Sequence, residues 1–174
     1  MQDLLIVVDM QRDFIDGALG TPEAQAIVPH VVSKMRNHQG RILATRDTHE
    51  ASYLDTQEGR LLPVPHCIRG TEGWQLHPDV EALLKEPPLD KPVFGSAQLG
   101  AQLARKNETD PIGRITLVGL CTDICVISNA LLLRAFLPET EIVVDAACCA
   151  GVTPHSHRIA LEAMKACQVH IENE

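Results

Sequence analysis

The chain has 174 residues, of which 45% are hydrophobic and 22% are charged, and its formal net charge is -8. This length is typical of one domain with a full core, so we expect a single domain over residues 1–174. The acidic balance argues against a nucleic-acid groove or an anionic membrane surface as a partner. No apolar run is long enough to span a bilayer and no signal peptide is recognisable, so the expected compartment is the cytoplasm.

Short apolar runs rich in Ile and Val alternate along the chain with longer helical patterns. The runs lack a polar–apolar alternation, which is typical of parallel strands covered on both faces. The predicted strands cover residues 4–9, 41–46, about 92–94, 114–119, 141–145 and 169–172, and the predicted helices cover residues 21–39, 96–106, 122–136 and 153–167. This order predicts an α/β fold, a Rossmann-like three-layer α/β/α arrangement with a mostly parallel, doubly wound sheet.

Polar residues follow several of the predicted strands at the point where each strand ends. Asp9 ends the first strand and Asp47 follows the second, while Cys125 follows the strand at 114–119. In doubly wound sheets, ligands bind beyond the carboxyl ends of the strands. We therefore expect a site at this edge of the sheet, with the long non-periodic segment 47–76 as a functional loop.

Cys125 is the cysteine whose position best suits reactivity. It falls at the start of a predicted helix, where the positive end of the helix dipole lowers the pKa of a thiol and free N–H groups can hold an oxyanion. All six cysteines are expected to be reduced, because nothing in the sequence indicates export. The Cys121–Cys125 spacing alone favours a buried structural pair.

Three separated blocks of the sequence resemble the isochorismatase-like cysteine hydrolases, and within them the nicotinamidases. The blocks are Val7–Phe14, Lys91–Ser96 and Gly119–Val126, and they occur in the order found in that family. The resemblance implies the isochorismatase-like hydrolase fold and a catalytic triad of Asp9, Lys91 and Cys125. In such a triad the lysine stabilises the thiolate, and the aspartate takes the thiol proton and later gives it to the leaving amine.

The resemblance also implies an oxyanion hole beside the nucleophile. Its donors would be the backbone amides of Thr122 and Cys125, arranged by a cis peptide bond that is expected between Cys121 and Thr122. Gln11 and Asp13 are expected to fix the loop around Asp9.

A metal site is a second feature, in the loop between the second and third strands. Asp47 and His49 share a face of an extended segment and His66 could return to them, a donor set that suits Zn, Fe or Mn. Spacing alone favours an ordinary polar loop. The resemblance implies a divalent metal, with Zn as the first choice, that holds the ring nitrogen of the substrate. Glu58 is the expected fourth ligand and Asp55 the alternative.

The function that the resemblance implies is hydrolysis of nicotinamide to nicotinate and ammonia through a cysteine thioester, in NAD salvage. Phe14 and Trp74 would flank the pyridine ring, and Cys121 would border it. The expected partner is a small-molecule amide. Assembly into a homo-oligomer is left as an alternative to a monomer. Alternatives are an amidohydrolase for carbamoyl or ureido substrates, an isochorismatase, and a non-catalytic binding module.

Overall fold

The computed structural model describes residues 1–174 and contains a six-stranded sheet in which all strands run parallel. The strands are β1 (Gln2–Val8), β2 (Arg41–Asp47), β3 (Leu89–Lys91), β4 (Ile112–Leu120), β5 (Glu141–Ala150) and β6 (His170–Glu172). Their order across the sheet is β3-β2-β1-β4-β5-β6. The chain order reverses between β1 and β4, which places a topological switch point beside the end of β1. The predicted α/β class is confirmed.

Helices cover both faces of this sheet. They are α1 (Arg12–Ile15), α2 (Pro22–Asn37), α3 (Gln57–Leu61), α4 (Pro78–Glu81), α5 (Ala97–Thr109), α6 (Ile127–Phe136) and α7 (Pro154–Ala166). The hydroxyl of Thr21 accepts a hydrogen bond from the amide of Ala24 (3.0 Å) and caps α2, as the Thr-Pro start of that helix predicts. None of the helices has both the length and the apolar character that crossing a membrane requires.

The core consists of two apolar layers, one on each face of the sheet. Successive side chains of a strand point to opposite faces, and β1 supplies both layers in this way. Leu4, Ile6 and Val8 pack with residues of α5, α6 and α7, while Leu5 and Val7 pack with residues of α2. Asp9, Asp47 and Lys91 are buried charged residues, and they lie outside these layers at the carboxyl ends of their strands.

Two predicted elements differ from the elements that the structure shows. The third strand was expected at about 92–94 but lies at Leu89–Lys91, because Pro92 has no amide to continue the ladder with β2. The segment 47–76 was expected to be a loop without periodic structure, yet it contains a 3-10 turn (Tyr53–Asp55) and the helix α3. Both corrections concern elements of three to five residues, which are too short for periodicity to register.

Gly119 allows β4 to lie close to β1 at the switch point. It pairs with Val8 and has φ of +116°, a conformation that residues with side chains rarely adopt. A Cβ atom built there would lie 2.1 Å from the carbonyl oxygen of Val8. The strand end that leads to Cys125 can therefore approach Asp9 only with glycine at this position.

Replacement of this glycine tests that constraint. We expect Gly119→Ala to lower the free energy of unfolding by about 3 kcal/mol or more, since backbone strain adds to a clash with the main chain. Gly70 is a matched control, because it also has a positive φ (+81°) but has no atom within 4 Å of a built Cβ. Gly70→Ala should cost only about 1–2 kcal/mol. Equal losses of unfolding free energy for the two variants, measured by urea denaturation, would contradict the explanation that Gly119 allows the close approach of β4 to β1.

Candidate active site

Three side chains from separate elements meet at the carboxyl edge of the sheet. Asp9 follows β1, Lys91 ends β3, and Cys125 lies in a π-helical turn (Thr122–Val126) that follows β4 and leads into α6. Nζ of Lys91 lies 2.6 Å from Oδ2 of Asp9 and 3.4 Å from Sγ of Cys125. The sequence predicted this group, and the structure brings its three members into contact.

Lys91 is the centre of the group and is 1% exposed. Its Nζ also lies 3.4 Å from Oδ1 of Asp47 and donates to the carbonyl oxygen of Val93 (3.2 Å). Burial by itself would lower the pKa of Lys91, but Asp9, Cys125 and Asp47 outweigh burial and raise it. The side chain is therefore a fixed cation rather than a proton donor.

Asp9 is fully buried and has a left-handed backbone conformation, with φ of 47°. Its Oδ1 accepts a hydrogen bond from the hydroxyl of Thr45 (2.7 Å), while Oδ2 lies 2.6 Å from Nζ of Lys91. Burial raises the pKa of Asp9, and Lys91 opposes this shift. A carboxylate with a raised pKa beside the thiol is well suited to accept a proton.

Cys125 differs from the expectation that its helix start lowers the pKa of its thiol. Burial raises that pKa well above its usual value, the charge of Asp9 adds to the shift, and Lys91 only partly offsets it. The helix dipole is weak here, because the first turn is π-helical and Cys125 is its fourth residue. The thiol is therefore protonated at rest, and the thiolate requires a proton acceptor beside it.

The backbone beside Cys125 corrects one further expectation and bears on the predicted oxyanion donors. The cis peptide bond joins Leu120 and Cys121, one residue earlier than predicted. Thr122, the predicted oxyanion donor, is fully buried and outside the cavity lining, and its hydroxyl lies 2.7 Å from Nδ1 of His157. The carbonyl of Cys121 accepts from the amides of Ile124 and Val126, which flank that of Cys125 (3.1 Å each).

Asn129 is a buried residue that the sequence gave no reason to select. Its side-chain amide donates to the carbonyl of Cys125 (2.8 Å) and to that of Phe94 (3.2 Å), and its oxygen accepts from the amide of Ser96 (3.0 Å). It lies one helical turn after the nucleophile. Asn129 therefore ties the turn that carries Cys125 to the loop that follows Lys91.

A cluster of four metal-binding side chains lies beside this group. One ligand atom each from Asp47, His49, Glu58 and His66 lies within 4.8 Å of the others. Nε2 of His49 is 3.0 Å from Asp47 and 3.5 Å from Glu58, and Nε2 of His66 is 3.7 and 3.8 Å from the same carboxylates. Ligands about 2.1 Å from a metal ion lie roughly 3.0 Å apart in octahedral and roughly 3.4 Å apart in tetrahedral geometry, so these donors suit a metal ion.

Further contacts orient the metal-binding groups. Nδ1 of His66 lies 2.8 Å from the carbonyl of Val64, which leaves Nε2 to face the cluster. Burial would raise the pKa of Asp47, but His49, His66 and Lys91 hold it well below its usual value, so this group is a carboxylate. Glu58 belongs to the cluster, whereas the alternative ligand Asp55 is exposed and outside it.

Gln11 and Asp13 act on the metal-binding loop, although they were expected to fix the loop around Asp9. Oε1 of Gln11 accepts from the amide of Asp47 (2.7 Å) and its Nε2 donates to the carbonyl of the same residue (2.8 Å). Oδ2 of Asp13 accepts from the amide of Cys67 (2.7 Å), next to His66. The segment after β1 therefore positions both the proton acceptor and the metal-binding loop.

A cavity of about 710 Å³ opens onto both groups. Cys125 and the four metal-binding residues line it, as do Phe14 and Cys121, whereas Asp9 and Lys91 are not part of its lining. Trp74, expected beside the substrate ring, lies outside the cavity. Its Nε1 donates to the hydroxyl of Thr48 (2.8 Å), and the guanidinium carbon of Arg46 lies 3.5 Å from its ring centroid.

Comparison with known proteins agrees with this fold and these groups. The family model described as the isochorismatase domain matches residues 3–173, and the chain belongs to the isochorismatase family of hydrolases. The nicotinamidase/pyrazinamidase of Mycobacterium tuberculosis is 27% identical over 96% of each chain. The crystal structure of a pyrazinamidase from Pyrococcus horikoshii in complex with zinc has a TM-score of 0.81 at 29% identity and covers 100% of both chains.

A nicotinamidase/pyrazinamidase from Bacillus subtilis is similar to the same degree. Its crystal structure has a TM-score of 0.81 at 30% identity and covers 99% of this chain and 100% of its own.

Removal of one carboxylate tests the metal-binding cluster. We expect Glu58→Ala to weaken the binding of Zn²⁺ by at least about tenfold, because the cluster loses one of its donors. Asp55→Ala is the matched control, since Asp55 is an exposed acid three residues away and should leave affinity unchanged. Competition with a chromophoric chelator measures both. Similar affinities for the two variants would exclude Glu58 as a ligand.

Proposed function

We propose that the protein is a nicotinamidase, which hydrolyses nicotinamide to nicotinate and ammonia and serves NAD salvage. The observation that carries the proposal is that the thiol of Cys125 and the four-residue metal-binding cluster open onto one cavity. A pyridine carboxamide has two functional groups with matching chemistry, a ring nitrogen that ligates metals and an amide carbon that a thiolate attacks. The names of the relatives from Mycobacterium tuberculosis and Bacillus subtilis support the same substrate.

The first chemical step is formation of the nucleophile and its addition to the amide. Asp9 accepts the proton of the Cys125 thiol, and Lys91 stabilises the resulting thiolate by its fixed charge. Sγ then forms a bond to the carboxamide carbon, whose oxygen becomes an oxyanion. The amides of Cys121 and Cys125 are the proposed donors to that oxyanion, because both residues line the cavity and Thr122 does not.

The second step releases ammonia and the third restores the enzyme. Protonated Asp9 gives its proton to the leaving nitrogen as the carbon–nitrogen bond breaks, which leaves a thioester on Cys125. Asp9 then removes a proton from water, whose oxygen attacks the thioester carbon. The carbon–sulfur bond breaks, nicotinic acid departs and loses its proton to water to give nicotinate, and the thiolate of Cys125 regains the proton from Asp9.

Asp47, His49, Glu58 and His66 would hold a divalent metal ion, and two imidazoles with two carboxylates suit Zn, with Fe and Mn as further possibilities. When bound, the ion supplies a Lewis-acid anchor for the ring nitrogen of the substrate. Phe14 would pack against the ring, since it lines the cavity and its own ring centroid is 5.5 Å from that of His66.

Cysteine replacement tests the nucleophile. The unmodified protein should release ammonia from nicotinamide, and Cys125→Ala should lower kcat by about 10⁴-fold or more, because Cys125 is the thiol in contact with Lys91. Cys167→Ala is the control, since Cys167 is an exposed free thiol at the end of α7 and should leave the rate unchanged. Ammonia release by folded Cys125→Ala at an appreciable rate would refute the mechanism.

The hydroxyl of Thr45 offers a pH test of the role of Asp9. Its hydrogen bond stabilises the ionised carboxylate and lowers the pKa of Asp9. Thr45→Val removes this donor, so the pKa of Asp9 rises, and Asp9 becomes protonated at a higher pH. The acid limb of the kcat/KM profile should therefore move upward by about one pH unit.

Thr116→Val provides the comparison for this profile. Thr116 is a buried threonine of β4 that is not part of the site, so its replacement should leave the acid limb in place. An unshifted limb in Thr45→Val would show that Asp9 does not control the acid side of the profile.

A further inference from the structure

We propose, on the basis of the proposed function, that the enzyme favours nicotinamides that carry an uncharged apolar group at the 5-position of the ring. The cavity of about 710 Å³ is of the size that holds a drug-sized ligand. Nicotinamide is only one ring with one carboxamide, and it fills the part of the cavity beside Cys125 and the metal-binding cluster. The remaining volume has a consistent chemical character, which defines what the substrate carries beyond the ring.

The outer part of the cavity is apolar and mostly aliphatic. Its lining includes Leu61, Leu62, Val93, Phe94 and Val152, whose exposed fractions are 79%, 38%, 55%, 44% and 50%. These residues come from three separate segments: the end of α3, the loop after β3 and the loop after β5. Apolar side chains that converge on one opening gain free energy when a ligand removes them from water.

The charges of the lining exclude several kinds of substituent. Asp47 and Glu58 are the only residues of the lining with a formal charge, apart from imidazoles that can be protonated, and both belong to the metal-binding cluster. No lysine or arginine lines the cavity, so a phosphate or carboxylate on the substrate would have no partner there. The remaining polar residues, such as Thr21, Thr56 and Gln57, are uncharged.

The attachment point follows from the two groups that hold the ring. The ring nitrogen faces the metal-binding cluster and the carboxamide faces Cys125. The 5-carbon is the ring position meta to both, so it points away from both at once. The 2-position lies between them, and a group at the 6-position would meet the metal ligands. A substituent at the 5-position therefore extends toward the aliphatic opening.

Binding to a variant that cannot turn over tests the inference without hydrolysis. Zinc-loaded Cys125→Ala is titrated by calorimetry with nicotinamide and its 5-methyl, 5-propyl and 5-phenyl derivatives. Affinity should rise by about twofold to fourfold for each added CH₂ that the aliphatic wall covers. The 5-carboxylate derivative, which is of similar size but anionic, should bind more weakly than nicotinamide.

Two leucines near the cavity provide a matched pair of variants in the same background. Leu61→Gln should reduce the gain in binding affinity along the alkyl series to less than half of its original size, because Leu61 lines the cavity. Leu54→Gln should leave the gain intact, because Leu54 is also exposed (50%) but is not part of the lining. Val152→Thr, which conserves shape, should reduce the gain in the same direction as Leu61→Gln.

The kcat/KM values for ammonia release from the same amides, measured with the active enzyme, separate the two proposals. Turnover of nicotinamide with no gain in binding or kcat/KM along the series would overturn this inference and leave the proposed function intact. A gain in binding with no ammonia from any member would support the inference about the cavity and contradict the proposed function. A gain in affinity that disappears as the protein concentration rises would show that a second copy of the protein covers the opening, and would overturn the inference.

Discussion

The buried ammonium of Lys91 is the constraint on which the rest of the site depends. It lies between the carboxylates of Asp9 and Asp47 and beside the thiol of Cys125, with almost no contact with water. Two carboxylates buried without a cation would carry a desolvation cost of several kcal/mol each. Lys91 offsets that cost, and it also couples the two halves of the site, since one carboxylate accepts protons and the other belongs to the metal-binding cluster.

This arrangement explains why a cysteine with a raised pKa can still serve as a nucleophile. The resting group keeps its proton on sulfur, and Lys91 contacts both Asp9 and Cys125. Transfer of the proton to Asp9 moves one negative charge from Asp9 to Cys125, and both groups lie within 3.4 Å of Nζ of Lys91. Net charge in the buried group is thus unchanged by the transfer, which keeps its electrostatic cost low.

The sequence predicted the sheet and the long helices from local patterns, and the resemblance to the isochorismatase-like hydrolases pointed to the residues that meet at the carboxyl edge of the sheet. Long apolar strands and a capped helix such as the one after Thr21 leave periodic signals. No such signal exists for the orientation of Trp74, because contacts with Arg46 and Thr48 position its ring. The order of residues along the chain does not indicate which side of a loop faces the cavity. The position of β3 and the roles of Gln11 and Asn129 likewise depend on contacts between distant segments.

The short edge strand β3 has a consequence for how the enzyme loses activity. It has three residues, pairs only with β2, and ends at Lys91. Ion pairs of Asp90 with Arg46 and Arg69 hold it on the sheet, and both pairs are partly open to solvent. Edge segments of this kind open locally at a lower free energy than the core. Under mild heat or denaturant, we therefore expect β3 to withdraw the cation of Lys91 while the other strands remain folded, so that activity is lost before global unfolding.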